Sequence, residues 1–201
     1  MHNDTITPKK ALHRLLEGNK RFAKGKAKHP RAGDKRRKKL RTCQRPFATI
    51  VVCSDSRVPP EILFDCGLGD LFVIRLAGNL VDDTTLGSVL YAVEHLGCPL
   101  VMVLAHESCG AVTTALDATI APADEPPALG ALVTAIRLNI PESLAMENHH
   151  EGKLDAGIRE NAAASLKRLA ADPIVGERVG AGELQVVCAY YSLKTGVVKL
   201  F

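Results

Sequence analysis

Apolar residues first recur at helical spacing. Leu12, Leu15, Leu16, Phe22 and Ala23 line one stripe, lysines and arginines take the other face, and Thr7-Pro8 offers an N-cap followed by proline at the first helical position. From Gly25 to Arg41 the chain is nearly all charge, glycine and proline, which predicts a surface excursion with room for a short helix around Lys35–Leu40. The pattern then changes. FATIVVC (47–53) is a short apolar run rich in β-branched residues, as in a strand buried on both faces. LFVIRL (71–76) and PLVMVLA (99–105) read the same way, and LQVVCAYYSL (184–193) with GVVKLF (196–201) form a closing strand pair joined through Lys194-Thr195-Gly196.

Helical patterns separate these runs. Pro60–Asp65 predicts a short helix that stops at Gly67. Asp83 or Thr84 caps a second, with Leu86, Val89, Leu90, Val93 and Leu96 on one face and Gly97 at its end. Another begins after Cys109, Pro122 to Pro127 is a loop, and 129–140 and 153–171 read as two more helices. Strands alternating with helices predict an α/β fold. Its centre is a mostly parallel β-sheet with an antiparallel edge strand, flanked by helices and preceded by a helical arm. The 201 residues suit one domain, divided into a basic N-terminal helical arm (1–45) and an α/β body (46–201) that carries the chemistry.

Charge sharpens that division. Residues 1–45 hold 16 Lys/Arg against 3 Asp/Glu, and residues 46–201 hold 10 against 19. A basic arm can bind nucleic acid or dock on an acidic body, its own or a partner's. No recognised nucleic-acid motif accompanies the charge, and the chain has no Trp and only eight aromatics for stacking on bases, so no nucleic-acid partner is expected. No apolar run approaches the ~20 residues of a membrane span, and MHNDTITPKK lacks the layout of a secretory leader. The expectation is a cytoplasmic protein without a membrane partner. Its six cysteines, at 43, 53, 66, 98, 109 and 188, are then free thiols, metal ligands or nucleophiles.

In an open parallel sheet, ligands bind at the carboxyl ends of strands. One strand ends in Cys53-Ser54-Asp55-Ser56-Arg57 and another in His106-Glu107-Ser108-Cys109-Gly110. A strand-end cysteine is ordinarily a small buried hydrophobe, and His-x-x-Cys recurs without a metal. Two thiols and one imidazole from neighbouring strand ends are more specific: a Cys₂His zinc site with its fourth position open, the catalytic pattern. Two thiolates cancel the charge of Zn²⁺, so such a site acidifies water less than three imidazoles would. Another group should therefore help hold the reactant. Asp55 lies two residues from Cys53, and Arg57 can fix its direction through a charge-assisted pair.

CSDSRVP (53–59), GDLFVIRLAGN (69–79), LGSVLYAVEHLG (86–97) and HESCGAV (106–112) together resemble a β-class carbonic anhydrase. The similarity runs in order from Thr7 to the end, through the ALHRLLEGNKRF opening to the Tyr190-Tyr191 strand. It implies reversible hydration of CO₂ to bicarbonate and a proton, with Zn²⁺ held by Cys53, His106 and Cys109 and an Asp55/Arg57 dyad beside it. It also implies that Gln44 donates a hydrogen bond to substrate oxygen, where the residue alone reads as an exposed loop glutamine. Phe72, Ala77 and Tyr91 match positions lining an apolar CO₂ pocket, though each alone reads as ordinary core. Gly110 falls where the chain approaches substrate closely. The family further implies a homodimer or a larger assembly of dimers, with pockets at the dimer interface, and the N-terminal helix is expected to wrap the second subunit.

Some family members carry a non-catalytic bicarbonate site made of a Trp, an Arg and a Tyr. Here Ile50 stands at the Trp position, although Arg75 and Tyr191 match the others. Cys43, Cys66, Cys98 and Cys188 match no ligand position and are expected to be structural. His2, His13, His29, His95, His149 and His150 have no metal-ligand partner at motif spacing. Two rival readings stand beside hydration of CO₂: a hydrolase of CS₂ or COS on the same zinc, and a non-catalytic zinc protein that binds nucleic acid through its arm.

Overall fold

The computed structural model describes residues 6–145 and 150–201, so His2 and His149 lie outside the described residues. In chain order the elements are α1 (Pro8–Ala23), α2 (Asp34–Lys39), β1 (Ala48–Val52), α3 (Pro60–Leu63), β2 (Leu71–Arg75), a 3₁₀ turn (Ala77–Asn79), α4 (Asp83–Glu94), β3 (Leu100–His106), α5 (Gly110–Leu116), α6 (Pro127–Leu138), α7 (Glu142–Ala145), α8 (His150–Ala170), α9 (Pro173–Gly180), β4 (Gln185–Tyr191) and β5 (Val198–Leu200). The strands form one sheet ordered β2-β1-β3-β4-β5, parallel throughout except for the antiparallel β4–β5 edge pair. Every residue of β1 and β3 is buried, as their unbroken apolar runs require of central strands covered on both faces.

Most differences from the sequence pattern lie at element ends. Asp82, rather than Asp83 or Thr84, caps α4, because its extended backbone lets the carboxylate accept from Thr85 N at 2.7 Å. The helix expected over Pro60–Asp65 stops at Leu63, and Asp65 turns left-handed at φ +47°. The helix expected from 129 starts at Pro127, since proline suits the first helical position. Two helices were not anticipated, the short α7 and α9; Asp172 caps α9 by accepting from Ile174 N and Val175 N, with Pro173 next.

The basic arm docks on its own body. Ala11 and Leu15 of α1 are fully buried, and Leu12 and Phe22 pack against the same core. Of the stripe expected to cover a second subunit, Leu15 is buried within the chain, while Leu12, Leu16, Phe22 and Ala23 stay partly exposed. Charge closes the join. Buried Asp70 accepts from Arg14 at 3.0 Å and Arg31 at 2.7 Å, and buried Asp65 accepts from Arg21 at 2.6 Å and from the backbone N–H groups of Lys28 and His29 at 2.8 Å. Asn19 donates to Leu63 O and Gly196 O and accepts from Val198 N, tying α1 to α3 and to β5.

Burial alone would raise the Asp65 carboxyl, but the bonds from Arg21, His29 and Lys28 outweigh it and hold it below the usual range. A carboxyl depressed by folding contributes stability that is present above its unfolded value of about 3.9 and is lost as pH falls through the folded value. Asp65→Asn is expected to cost about 1–2 kcal/mol at pH 7, with Arg21 partly solvated. In denaturant titrations that deficit should shrink as pH falls below about 3.9; an undiminished deficit in acid would assign the loss to packing.

Candidate active site

β1 and β3 are neighbours that level at Val52 and Leu104, while the chain leaves β1 toward β2 on one side and β3 leads on toward β4 on the other. Strand order reverses there, opening a crevice at the carboxyl ends. β1 delivers Cys53 into it and β3 delivers His106. A turn through Ser108, at φ +55°, then brings Cys109 to the start of α5. The Sγ atoms of Cys53 and Cys109 are 4.0 Å apart, and the three donor atoms all lie within 4.8 Å of one another, fully buried. Among the described residues this is the one such group of three.

The donors fit a metal. His106 Nδ1 lies 2.9 Å from the Glu107 carbonyl, which only accepts, so Nδ1 carries the hydrogen and Nε2 presents its lone pair. Nε2 is buried without a hydrogen-bond partner, a state that costs about 1–3 kcal/mol unless a ligand fills it. The hydrogen bond from Cys109 holds the Cys53 thiol below its ordinary range, aided by Gly78 N–H at 3.3 Å from the sulfur, while the same contact and burial drive Cys109 upward. One imidazole nitrogen and two sulfurs suit Zn²⁺ and leave a coordination position for a reactant.

Beside them Asp55 and Arg57 form a fork. Arg57 Nε donates to Oδ1 at 2.9 Å and Nη2 to Oδ2 at 2.7 Å, and Arg57 N–H adds a third bond to Oδ1 at 2.9 Å. Nη2 also donates to Ser108 O at 3.1 Å, linking the dyad to the turn that carries Cys109. The Arg57 guanidinium holds the Asp55 carboxyl down to about 2.

Ala77 and Gly110 adjoin the metal group, one residue before Gly78 and one after Cys109. Gln44, Phe72 and Tyr91 do not. Phe72 pairs with Thr49, four residues before Cys53 and so roughly 13 Å back along the strand. Tyr91 stacks beside Phe72 with ring centroids 6.1 Å apart, is half exposed, and shares an open groove with Gln44, Leu40, Leu68 and His95. Ile50 is buried, and Arg75 donates to Cys53 O at 3.2 Å and Asp55 O at 2.6 Å, so its guanidinium braces the ligand turn. Cys98 and Cys188 are buried and Cys66 half-buried, with burial pushing Cys66 and Cys188 each up to about 12, but Cys43 is exposed, contrary to the structural role expected of it. His13, His29 and His95 lie on the surface. The roles of Gly78, Ser108 and Glu107 were not foreseen; the left-handed Gly78-Asn79 turn, legible as a glycine–asparagine pair after a strand, was the available signal.

A buried cluster of one imidazole and two thiols at the switch point of a parallel sheet defines a candidate metal centre in an α/β fold. The carbonic anhydrase family profile matches residues 48–198. Carbonic anhydrase 2 of Mycobacterium tuberculosis is 37% identical over 193 residues, covering 94% of this chain and 90% of that protein. The carbonic anhydrase of Mycolicibacterium smegmatis is 51% identical over 111 residues, 55% of this chain and 54% of that protein. Among solved structures, a tetrameric β-carbonic anhydrase of the ascomycete Sordaria macrospora superposes with a TM-score of 0.72 at 26% identity, covering 94% of this chain and 96% of that one. The Coccomyxa β-carbonic anhydrase in complex with acetazolamide does so with a TM-score of 0.74 at 28% identity, covering 94% and 86%. The chain belongs to the β-class carbonic anhydrases, enzymes of reversible CO₂ hydration to bicarbonate and a proton. No helix among the described residues is long and apolar enough to cross a membrane.

Proposed function

We propose that Cys53, His106 and Cys109 hold one zinc ion and that CO₂ is hydrated there with Asp55, Arg57 and Gln44 assisting. The unpartnered Nε2 of His106, facing two sulfurs inside a buried pocket, carries this reading. Zinc, when bound, supplies a Lewis acid that activates water for attack on a carbonyl carbon. The chain supplies direction. Asp55 stays ionised, so it accepts a hydrogen bond from the reactant rather than donating one, and the Arg57 fork fixes the line along which it accepts. Arg57 also holds Asp55 off the metal ligands. The open space around Gly110 Cα leaves room for the small substrate and for departing bicarbonate.

Gln44, Phe72 and Tyr91 serve the metal site of a second copy, which makes the working unit a dimer across a two-fold axis. The groove that Gln44 and Tyr91 share, with the Phe72 ring beside Tyr91, supports this, as does the tetrameric state named for the Sordaria relative. Two reduced thiols at the metal support a reducing compartment, the cytoplasm. Stopped-flow CO₂ hydration by the zinc-loaded protein is the direct test; turnover of CS₂ or COS with none of CO₂ would overturn the reading in favour of the sulfur hydrolase. Gln44→Ala is expected to lower kcat/KM about tenfold, the loss of one substrate hydrogen bond. Mixing Gln44→Ala with Cys53→Ser chains should regenerate about a quarter of wild-type activity, because only the mixed dimers gain one complete site. Activity no greater than the sum of the parents would place Gln44 in its own chain's site.

A further inference from the structure

Three polar side chains in the helical layer, two of them deeply buried, have no part in the mechanism above. Asn161 and Ser165, one turn apart on α8, are buried at 0% and 2% exposure among Ile158, Ala162 and Leu169, and Asn139 sits half-buried at the end of α6. A buried amide is retained in such a place only when its hydrogen bonds are met. Asn161 Nδ2 donates to Gly78 O at 2.7 Å, while Asn139 Nδ2 donates to Asn161 Oδ1 at 2.9 Å and so fixes which way the Asn161 amide faces. Gly78 in turn donates its N–H to Cys53 Sγ at 3.3 Å. It holds φ +72°, a left-handed backbone that favours glycine, and a Cβ there would lie within 2.7 Å of the Ile136 Cδ1 methyl.

We propose that Asn161 is a positioning residue for the metal: by pinning the Gly78 carbonyl it aims the Gly78 N–H at the Cys53 sulfur, and Asn139 holds Asn161 in register. A fixed N–H donor takes electron density from a thiolate ligand and restrains its swing, which slows metal loss and lowers the charge the sulfur passes to the metal. The arrangement explains why a helix that covers the sheet carries an amide where its stripe calls for an apolar residue. It deepens the zinc reading and rests on it.

The test follows zinc release to an excess of a chromogenic chelator and, after cobalt substitution, the thiolate-to-metal charge-transfer band. Asn161→Ala is expected to release zinc roughly ten times faster and to move the cobalt band to longer wavelength, as an unbonded thiolate donates more strongly. Ser165→Ala is the control. Ser165 Oγ donates to Asn79 O at 3.2 Å on the same buried face, so its loss disturbs packing without releasing Gly78, and both readouts should stay within about twofold of wild type. Asn139→Ala, at a half-buried position, should shift both readouts in the same direction by less, and carries the test if Asn161→Ala does not fold. Equal effects of Asn161→Ala and Ser165→Ala, or an unmoved band in both asparagine variants, would overturn the relay. A wild-type protein that binds neither zinc nor cobalt would overturn the metal reading itself, a result distinct from either.

Discussion

Cys53→Ser and Cys109→Ser are each expected to bring zinc from about one per chain to below about 0.1, measured by elemental analysis after gel filtration. A serine hydroxyl ionises far above neutral pH, whereas a thiol beside a metal is deprotonated outright, so the substitution removes a charged ligand and not merely a sulfur atom. The loss should extend beyond metal content. His106 Nε2 and the remaining thiol are buried, and without the ion they keep unmet polar groups in the core between β1 and β3. The wild-type protein should therefore melt at a lower temperature after chelation, because an ion present at a hundred times its Kd contributes about 2.7 kcal/mol to the folded state. Both serine variants should melt near the chelated value and be insensitive to added zinc. Full occupancy in both variants would remove these cysteines from the ligand set.

What could be read from the chain before folding divides along physical lines. The central strands were legible because β1 and β3 are buried on both faces and so carry unbroken apolar runs. The clustering of Cys53, His106 and Cys109 was legible because parallel strands put their carboxyl ends on one edge, and the residues that follow each run are the ones delivered there. The docking of the arm was not. The Leu12–Leu15–Phe22 stripe states that α1 packs on something, but the surface that wins is set by Asp65 and Asp70, some 40 to 56 residues away from the arginines they hold. Local spacing has no access to such pairs. The same limit hid Asn161, whose partner Gly78 is 83 residues distant, and the separation of Phe72 from Cys53, which depends on strand register. The α9 helix was within reach: Asp172-Pro173 repeats the cap-and-proline grammar of Thr7-Pro8, but a helix of eight residues with half-exposed Ile174 and Val179 shows too little periodicity to stand out.

Arg57→Ala is expected to keep zinc near one per chain and still lose activity about a hundredfold or more, the upper end of what outer-shell partners of a metal site contribute. Asp55 follows Cys53 by two residues, and its carboxylate is held in place by the Arg57 side chain from one side and by Arg57 N–H from the other. Removing the guanidinium takes away two of those three bonds and the positive charge that balances the carboxylate. The nearest compensation for a freed anion is the cation held by Cys53, His106 and Cys109, so Asp55 should take the coordination position that the reactant needs. In the cobalt-substituted protein this appears as loss of azide binding at the metal in Arg57→Ala, with the d–d bands shifted from wild type. Removing Asp55 as well, in Asp55→Ala with Arg57→Ala, should restore azide binding because no carboxylate remains to compete, yet leave turnover low because nothing directs the reactant. Arg57→Lys should fall between, since an ammonium retains the charge without the two-pronged geometry. Wild-type turnover in Arg57→Ala, or azide affinity unchanged across the series, would show that the Asp55–Arg57 fork does not control access to the metal.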